Sequence, residues 1–337
     1  MRAWYLNETN GPDSYSFGEV PTPEAGPGEV RVALKTSGLN HLDLWVSRGM
    51  PAPPSFPHVS GADGAGVVDQ VGDGVDGVAL GDEVVVDPSL SCGRCDACRS
   101  GDIVYCRSYG ILGEHHPGTM GEYVVVPAAN VLPKPAGLSW EEAGTFGLVT
   151  GTAHRMLRRA RIDEGSRVLV VGVGGGVSSA AVGLATALGA TVWVTSRDEA
   201  KIERAKELGA LGGFDSTGPF SKEVKAATGG VDAVIENVGA PTWEQSMRSL
   251  VPGGRLVTCG ATGGTTVEVS VPFLFFKQLE LIGSTMFTHD EFAEVLDLVG
   301  SGRVPVLVDS VVPFDEADRA IGRLESGEQF GKLVISR

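Results

Sequence analysis

No apolar run in this chain approaches the roughly 18 residues that a membrane-spanning helix requires; the longest are of the kind Val271 to Phe276. Basic charge is also short: 27 Lys and Arg stand against 42 Asp and Glu, a net charge of −15. Such a surface repels a phosphate backbone and an anionic bilayer alike, so neither nucleic acid nor membrane is an expected partner. Cysteine is sparse, with five in 337 residues, and a chain of this length buries enough surface to fold without a disulfide scaffold. The opening Met1-Arg2-Ala3-Trp4-Tyr5-Leu6 lacks a basic segment leading into an apolar stretch and a small-residue cleavage site. The expected compartment is therefore the cytoplasm. What the chain has in excess is glycine, 48 residues without a fixed period, which implies many tight turns and no repeat architecture.

Length alone suggests about two domains, and the texture of the sequence changes where one would end. From Glu29 to Val126 short apolar runs (Val30 to Leu34, Gly66 to Val68, Glu83 to Val86, Tyr123 to Val126) alternate with Gly, Pro and Asp clusters, a β-rich pattern in which no helix is expected. After Pro133-Lys134-Pro135 the pattern switches to helical spacing over Trp140 to Arg159, a buried strand at Arg167 to Val171 and an Ala-rich helix at Ser178 to Leu188. Strand and helix then alternate through Thr191 to Val194, Glu199 to Leu208, Val231 to Ile235, Trp243 to Leu250 and Arg255 to Thr258. That rhythm predicts a parallel sheet with helices on both faces, an α/β fold. A helix at Asp290 to Val299 and a closing strand at Lys332 to Ile335 fit either half.

Four of the five cysteines, Cys92, Cys95, Cys98 and Cys106, fall in one loop rich in Gly, Arg and Asp. One zinc ion is the economical reading, because four thiolates close a tetrahedral shell and leave no position open for substrate. A disulfide pair and an iron–sulfur cluster are the alternatives; a reducing compartment argues against the first, and the long gap before Cys106 with no following Pro argues against the second. The zinc would staple the loop, with Arg94, Arg99 and Arg107 offsetting its negative shell. Cys259 reads as a small buried hydrophobe.

The run Val168-Leu169-Val170-Val171-Gly172-Val173-Gly174-Gly175-Gly176-Val177-Ser178 is strand, glycine turn, helix, the context in which such a turn holds a dinucleotide pyrophosphate. A G-x-G-x-x-G reading ends on Val177, so only the shifted reading Gly172, Gly175, Ser178 keeps a small residue third. At the end of the second strand stand Thr195-Ser196-Arg197-Asp198, with Lys201 one turn on. Ser196 and Arg197 suit a 2′-phosphate, which a carboxylate would repel, so NADP(H) is the expected cofactor; Asp198 reverses the preference if it faces the ribose instead.

Taken together, Gly61-Ala62-Asp63-Gly64-Ala65-Gly66-Val67-Val68 with Val71-Gly72, Gly81-Asp82-Glu83-Val84, the four-cysteine lobe, the glycine turn and Phe330-Gly331-Lys332 resemble the medium-chain dehydrogenase/reductase superfamily of zinc alcohol dehydrogenases and quinone oxidoreductases. The resemblance covers nearly the whole chain. It implies a GroES-like β-rich catalytic domain over 1–147 and 285–337, with the zinc lobe at about 88–110, and a Rossmann doubly wound parallel sheet over 148–284. It also implies cofactor contacts at Thr150, Asn237, Val238, Gly260, Ala261, Ser284 and Lys332, and a homodimer or tetramer for which Val269 to Phe276 is an apt edge strand and cover.

The family's second, catalytic zinc is held by Cys, His and Cys, and the matching positions here are Asn40, Ala62 and Phe146. Its proton-relay hydroxyl and His correspond to Leu42 and Trp45, while Asp43 and Asp63 keep the acidic positions behind the metal. Without a Lewis acid, oxidation of an alcohol is hard and hydride addition to a quinone or conjugated enone is easier. The expected activity is reduction of quinones or α,β-unsaturated carbonyls by NADP(H), with Asn40, His41 and His115 as candidate hydrogen-bond donors. His116 is a weaker candidate, His58 reads as a packing residue, and His154 and His289 have no spacing that argues for chemistry. The rival readings are an alcohol dehydrogenase or carbonyl reductase using His41 or His115 in place of the metal, and an NADPH-binding protein without turnover.

Overall fold

The computed structural model describes all of residues 1–337 and divides into two compact units, Met1–Val149 with Phe287–Ser301 and Val306–Arg337, and Thr150–Met286 with Gly302–Pro305. It is a mixed α/β protein, one unit rich in antiparallel strands and the other built on a parallel sheet.

The first unit is built on a seven-stranded sheet. Its centre is the strand Glu29–Gly38, which pairs antiparallel with Asp63–Val71, Tyr123–Pro127 and the C-terminal strand Lys332–Ser336. Alternation in Val30, Val32 and Leu34 puts three apolar side chains on one face, against Val68, Val84, Val86, Val124 and Val126. The closing strand thus belongs to this unit, with Val334 opposite Gly38. The β-rich stretch does contain a helix, His41–Ser47, contrary to the sequence pattern. Asn40 and Asp43 stand at the two capping-box positions of its first turn: the Asp43 carboxylate accepts the Asn40 N–H, and the Asp43 N–H donates to the Asn40 carbonyl. Seven residues are too few for periodicity to announce; the cap does. Trp140 to Arg159 is likewise two helices, Trp140–Ala143 and Gly147–Arg159, interrupted after Gly144.

The second unit is a six-stranded sheet, all parallel, in the spatial order Gly212–Asp215, Thr191–Ser196, Arg167–Val170, Val231–Glu236, Leu250–Thr258, Glu280–Gly283. The chain winds outward from Arg167–Val170 first to one side and then to the other, so the winding direction reverses beside that strand. In sheets wound this way the ligand crevice lies there, at the carboxyl ends of the strands. Leu169, Val171, Val234 and Leu256 are fully buried in its core, as continuous rather than alternating apolar runs, because both faces of a parallel sheet are covered. The segment Val269 to Phe276, expected as an edge strand, is instead the helix Val271–Lys277. Ser270 caps it through the Phe273 N–H and Pro272 sits in its first turn, where a missing N–H costs nothing. The edge of the sheet is Glu280–Gly283. No helix of the structure is long and apolar enough to cross a membrane.

Gly66 shows how tightly the first unit's strands are spaced: a Cβ there lies 2.2 Å from the Ala33 carbonyl oxygen, which is backbone and cannot yield. Gly66→Ala is therefore expected to destabilise the protein by about 1–3 kcal/mol or more in urea unfolding. Gly137→Ala, where a Cβ meets nothing within 4 Å, is expected to change stability little.

Candidate functional site

Three constructions carry the chemistry-bearing residues. The first is the cysteine loop. After the short strand Ser89–Leu90 the chain turns through Cys92 and Cys95 into the helical turn Asp96–Arg99, which carries Cys98, and a 3-10 turn at Ile103–Tyr105 delivers Cys106. The four sulfurs lie within 4.8 Å of one another, with Cys92–Cys98 at 3.8 Å and Cys95–Cys98 and Cys92–Cys106 at 3.5 Å, and all four cysteines are unbridged. Sulfurs at about 2.3 Å from a tetrahedral zinc stand about 3.8 Å apart, so the cluster fits the ion. The Cys92 thiol is pulled down to about 6, chiefly by the backbone N–H of Arg94 and next by that of Cys95. Arg94, Arg99 and Arg107 are exposed, and Arg99 bonds Asp96.

The second construction surrounds Asn40, entirely within the first unit. Asn40 ends the central strand and caps the helix His41–Ser47. Its amide nitrogen donates to Asp63 Oδ2 at 3.0 Å and to the Gly38 carbonyl at 3.4 Å, while its oxygen accepts from Lys332 Nζ at 2.5 Å. Lys332 Nζ also donates to Asp63 Oδ2 at 3.0 Å, closing a three-membered ring of side chains, all buried. Asp63 Oδ1 accepts the Leu148 N–H at 2.6 Å. Behind the ring, Asp43 accepts from Asn40 N at 2.7 Å and Gly61 N at 3.0 Å, and burial raises its carboxyl to about 6. The other two positions matched to metal ligands are apolar: Ala62 is fully buried, and Phe146 stacks on Phe292 at 5.9 Å. Lys332, expected at the cofactor, has its ammonium in this ring.

The histidines separate clearly. His41 is half-buried and makes no hydrogen bond within the protein; burial, then the charges of Lys332 and Arg48, lower its pKa, so it is a neutral imidazole at pH 7. His115 is exposed, accepts from Ile111 N at 3.2 Å and stands 3.7 Å from Glu114, so its hydrogen bonds stay inside its own loop. His116 is exposed as well. His58 is buried and bonds the Gly113 carbonyl at 2.9 Å, a packing role. His289, for which the sequence offered no role, bonds the fully buried Asp87 at 2.5 Å, which raises its pKa.

The third construction lies in the second unit. Gly172 has φ +73° and a Cβ there would strike Val238 at 2.6 Å; its N–H donates to Thr195 Oγ1 at 3.1 Å. Ser178 Oγ donates back to the Gly172 carbonyl at 3.0 Å and accepts from Asn237 at 3.3 Å, so Ser178, Asn237 and Val238 brace the turn. Gly175 caps the helix Gly176–Ala187, and a Cβ on it would meet no protein atom within 4 Å. Free N–H groups of a helix start facing open space suit a pyrophosphate. Lys201 lies against Gly174, its Nζ 3.3 Å from where a Cβ would sit. Ser196 is buried at the strand end with Oγ accepting the Asp198 N–H, Arg197 is exposed, and Asp198 turns to cap the next helix through Ala200 N at 2.9 Å.

Beyond the strands Leu250–Thr258 and Glu280–Gly283, a cavity of about 340 Å³ is lined by residues including Gly239, Trp243, Gly260, Ala261 and Ser284. Two of these carry a buried polar atom without a hydrogen-bond partner, Trp243 Nε1 and Ser284 Oγ. Both atoms are closed off from solvent, so the cavity presents mainly backbone and small side chains to a ligand. Cys259 also lines it, its thiol pushed up to about 12 by burial and so unreactive. Thr150 is buried on the helix Gly147–Arg159. Sequence reasoning missed Glu236, fully buried, which accepts from Val238 N, Gly239 N, Thr242 Oγ1 and Ser246 Oγ and thereby fixes the loop behind the glycine turn. Its signal was an acid ending an apolar strand with Thr and Ser six and ten residues on.

Residues 26–136 match the model described as an alcohol dehydrogenase GroES-like domain, and residues 176–301 that of a zinc-binding dehydrogenase. Acryloyl-coenzyme A reductase of Metallosphaera sedula is 31% identical over 96% of this chain and 96% of its own length. An NAD-dependent alcohol dehydrogenase of Sulfolobus acidocaldarius is 31% identical over 99% of both chains. The crystal structure of another NAD-dependent alcohol dehydrogenase superposes with a TM-score of 0.96 at 42% identity, over 100% of both chains.

Elemental analysis is expected to give about one zinc per chain. Cys106→Ser should lower that value and loosen the 92–106 loop to proteolysis; a zinc content near two would contradict the single closed site described here.

Proposed function

Because the chain belongs to the medium-chain dehydrogenase/reductase superfamily of zinc-binding dehydrogenases, we propose that it is an NADP(H)-dependent reductase of α,β-unsaturated carbonyls or quinones that works without a catalytic zinc. The observation that carries the reading is the fate of the three ligand positions: an amide saturated by Lys332 and Asp63, a buried methyl, and a stacked phenyl ring. None of these is a donor set for zinc, which takes sulfur, imidazole or carboxylate. The carboxylate that remains, Asp63, is already bonded to an ammonium, an amide and a backbone N–H.

The glycine turn with Gly172, Gly174, Gly175, Gly176 and Val177 would hold the pyrophosphate at the helix start, and the cavity beside Ser284 and Trp243 the carboxamide end. When bound, the reduced nicotinamide supplies hydride. Ser196, Arg197 and Lys201 favour a ribose 2′-phosphate: Asp198, the one acid that opposes it, is spent as a helix cap. The two alcohol dehydrogenases named above carry NAD in their names, so the phosphate preference rests on these residues of this chain. An acceptor already conjugated needs only positioning and stabilisation of the oxyanion that forms, and the acryloyl thioester named for one relative is of that class. The exposed Val271, Phe275 and Phe276 beside the sheet edge Glu280–Gly283 favour association with a second copy. The cytoplasm remains the proposed location.

Consumption of NADPH should be measured against an α,β-unsaturated ketone and its saturated counterpart, with products identified by mass. Reduction of the enone alone, at its double bond, is the expected result; turnover of the saturated ketone to an alcohol would favour the carbonyl-reductase reading. Ser196→Asp is expected to shift preference from NADPH towards NADH by at least tenfold in kcat/KM, since it places a carboxylate against the 2′-phosphate. An unchanged ratio would mean that another residue reads the ribose.

A further inference from the structure

Asn40, the residue that sequence reasoning chose to steady the substrate's developing charge, has nothing left to give. Both protons of its amide go to Asp63 and the Gly38 carbonyl, and its oxygen is held by Lys332. The ammonium that holds it is not exhausted. Lys332 carries three N–H donors; two go to Asn40 Oδ1 and Asp63 Oδ2, and the third has no acceptor in the protein. Lys332 is only 4% exposed, its partner Asp63 is 1% exposed, and the neutral imidazole of His41, itself without a hydrogen bond, feels the Lys332 charge. A buried cation with an unspent donor is costly to maintain for packing alone, since buried polar groups are almost always satisfied.

We propose that Lys332 is the electrophilic residue of this site: its third N–H receives the oxyanion that forms on the acceptor, and Asn40 and Asp63 are positioning residues that aim it. This inference rests on the reductase reading above. When hydride adds to the β-carbon of an enone, the carbon–carbon π pair becomes the bond between the α-carbon and the carbonyl carbon and the carbonyl π pair moves onto oxygen, giving an enolate whose oxygen takes the Lys332 hydrogen bond. Lys332 keeps its proton. The α-carbon is then protonated by water, and the net change is one hydride and one proton added across the double bond while the nicotinamide is oxidised. A charge-assisted hydrogen bond from a buried ammonium is the kind of interaction that grows with charge on the substrate.

A dye that mimics the oxyanion tests this without turnover. 4-Nitrophenol changes colour on ionisation, so its apparent pKa when bound can be read directly by titration of the enzyme–dye complex. The wild type is expected to bind the phenolate form and lower the dye's pKa by a unit or more, a tenfold preference for the anion. Lys332→Met should abolish that shift and Lys332→Arg should retain part of it. In enone reduction Lys332→Met should lower kcat by about 10²–10³-fold with KM changed far less, the loss seen when one oxyanion donor is removed. Because Lys332→Met strands the Asp63 carboxylate, the double variant Asp63→Asn/Lys332→Met serves as the folded control, and it too should lack the shift. A wild type that binds no phenolate, or a Lys332→Met enzyme that shifts the dye as the wild type does, overturns the proposal. A wild type that shifts the dye yet reduces no enone overturns the reductase reading instead.

Discussion

The ammonium of Lys332 is the point on which the first unit turns. It brings together residues 40, 63 and 332, so the strand that ends the chain is tied to the two strands that build the centre of the sheet. A buried ion pair contributes little against a well-packed apolar alternative, but removing one partner strands a charge and costs about 3–5 kcal/mol. The carboxylate is accordingly oversupplied with donors: the ammonium, the Asn40 amide and the Leu148 N–H all reach Asp63. Asp43 shows the opposite balance. Two backbone donors do not offset its burial, and its carboxyl rises to about 6.

In the second unit backbone geometry does the comparable work. Gly172 and Gly174 hold positive φ values with Val238 and Lys201 pressed against them, and Gly175 leaves open space where any side chain would intrude. The turn is then fixed from behind by hydroxyls and a carboxylate, Ser178 on Gly172 and Glu236 on the 238–239 loop. Rigid bracing behind and open N–H groups in front are the two requirements of an anion cradle. The shift of the third small residue from Val177 to Ser178 follows from this, because the Ser178 hydroxyl closes the turn that a third glycine would otherwise let pack.

What could be read from the sequence was what is local. The cysteine loop is legible because all four ligands fall within fifteen residues, and the glycine turn because strand, turn and helix follow one another directly. The helix His41–Ser47 is hidden in a β-rich stretch, because seven residues carry too little periodicity and Asn40 and Asp43, which match metal-site positions, also occupy the capping-box positions. Val271–Lys277 reads as a strand because a run of Val, Leu and Phe fits a strand as well as a short helix; Ser270 and Pro272, which mark a helix start, decide it. The partner of Asn40 lay 292 residues away in sequence, and no spacing rule reaches that far. Only the antiparallel pairing of Val334 with Gly38 brings it in.

On the proposed reading a lysine ring stands where the family's catalytic metal would, and this bears on the direction of chemistry. Zinc lowers the pKa of a bound hydroxyl by many units and so makes an alkoxide available near neutral pH. An ammonium offers a hydrogen bond and a full charge, but no orbital to accept a lone pair, so it does little for an alcohol that must first lose a proton. It does more for an oxygen that gains charge as hydride arrives, since a preorganised donor needs no rearrangement at that moment. A site with the ammonium and without the thiolate–imidazole shell is therefore biased towards acceptors whose carbonyl is conjugated, where the charge appears on oxygen in the same step that the hydride is delivered to carbon. On the proposed reading, the loss of the metal ligands and the burial of Lys332 beside Asn40 form one change, from generating an alkoxide to receiving an enolate.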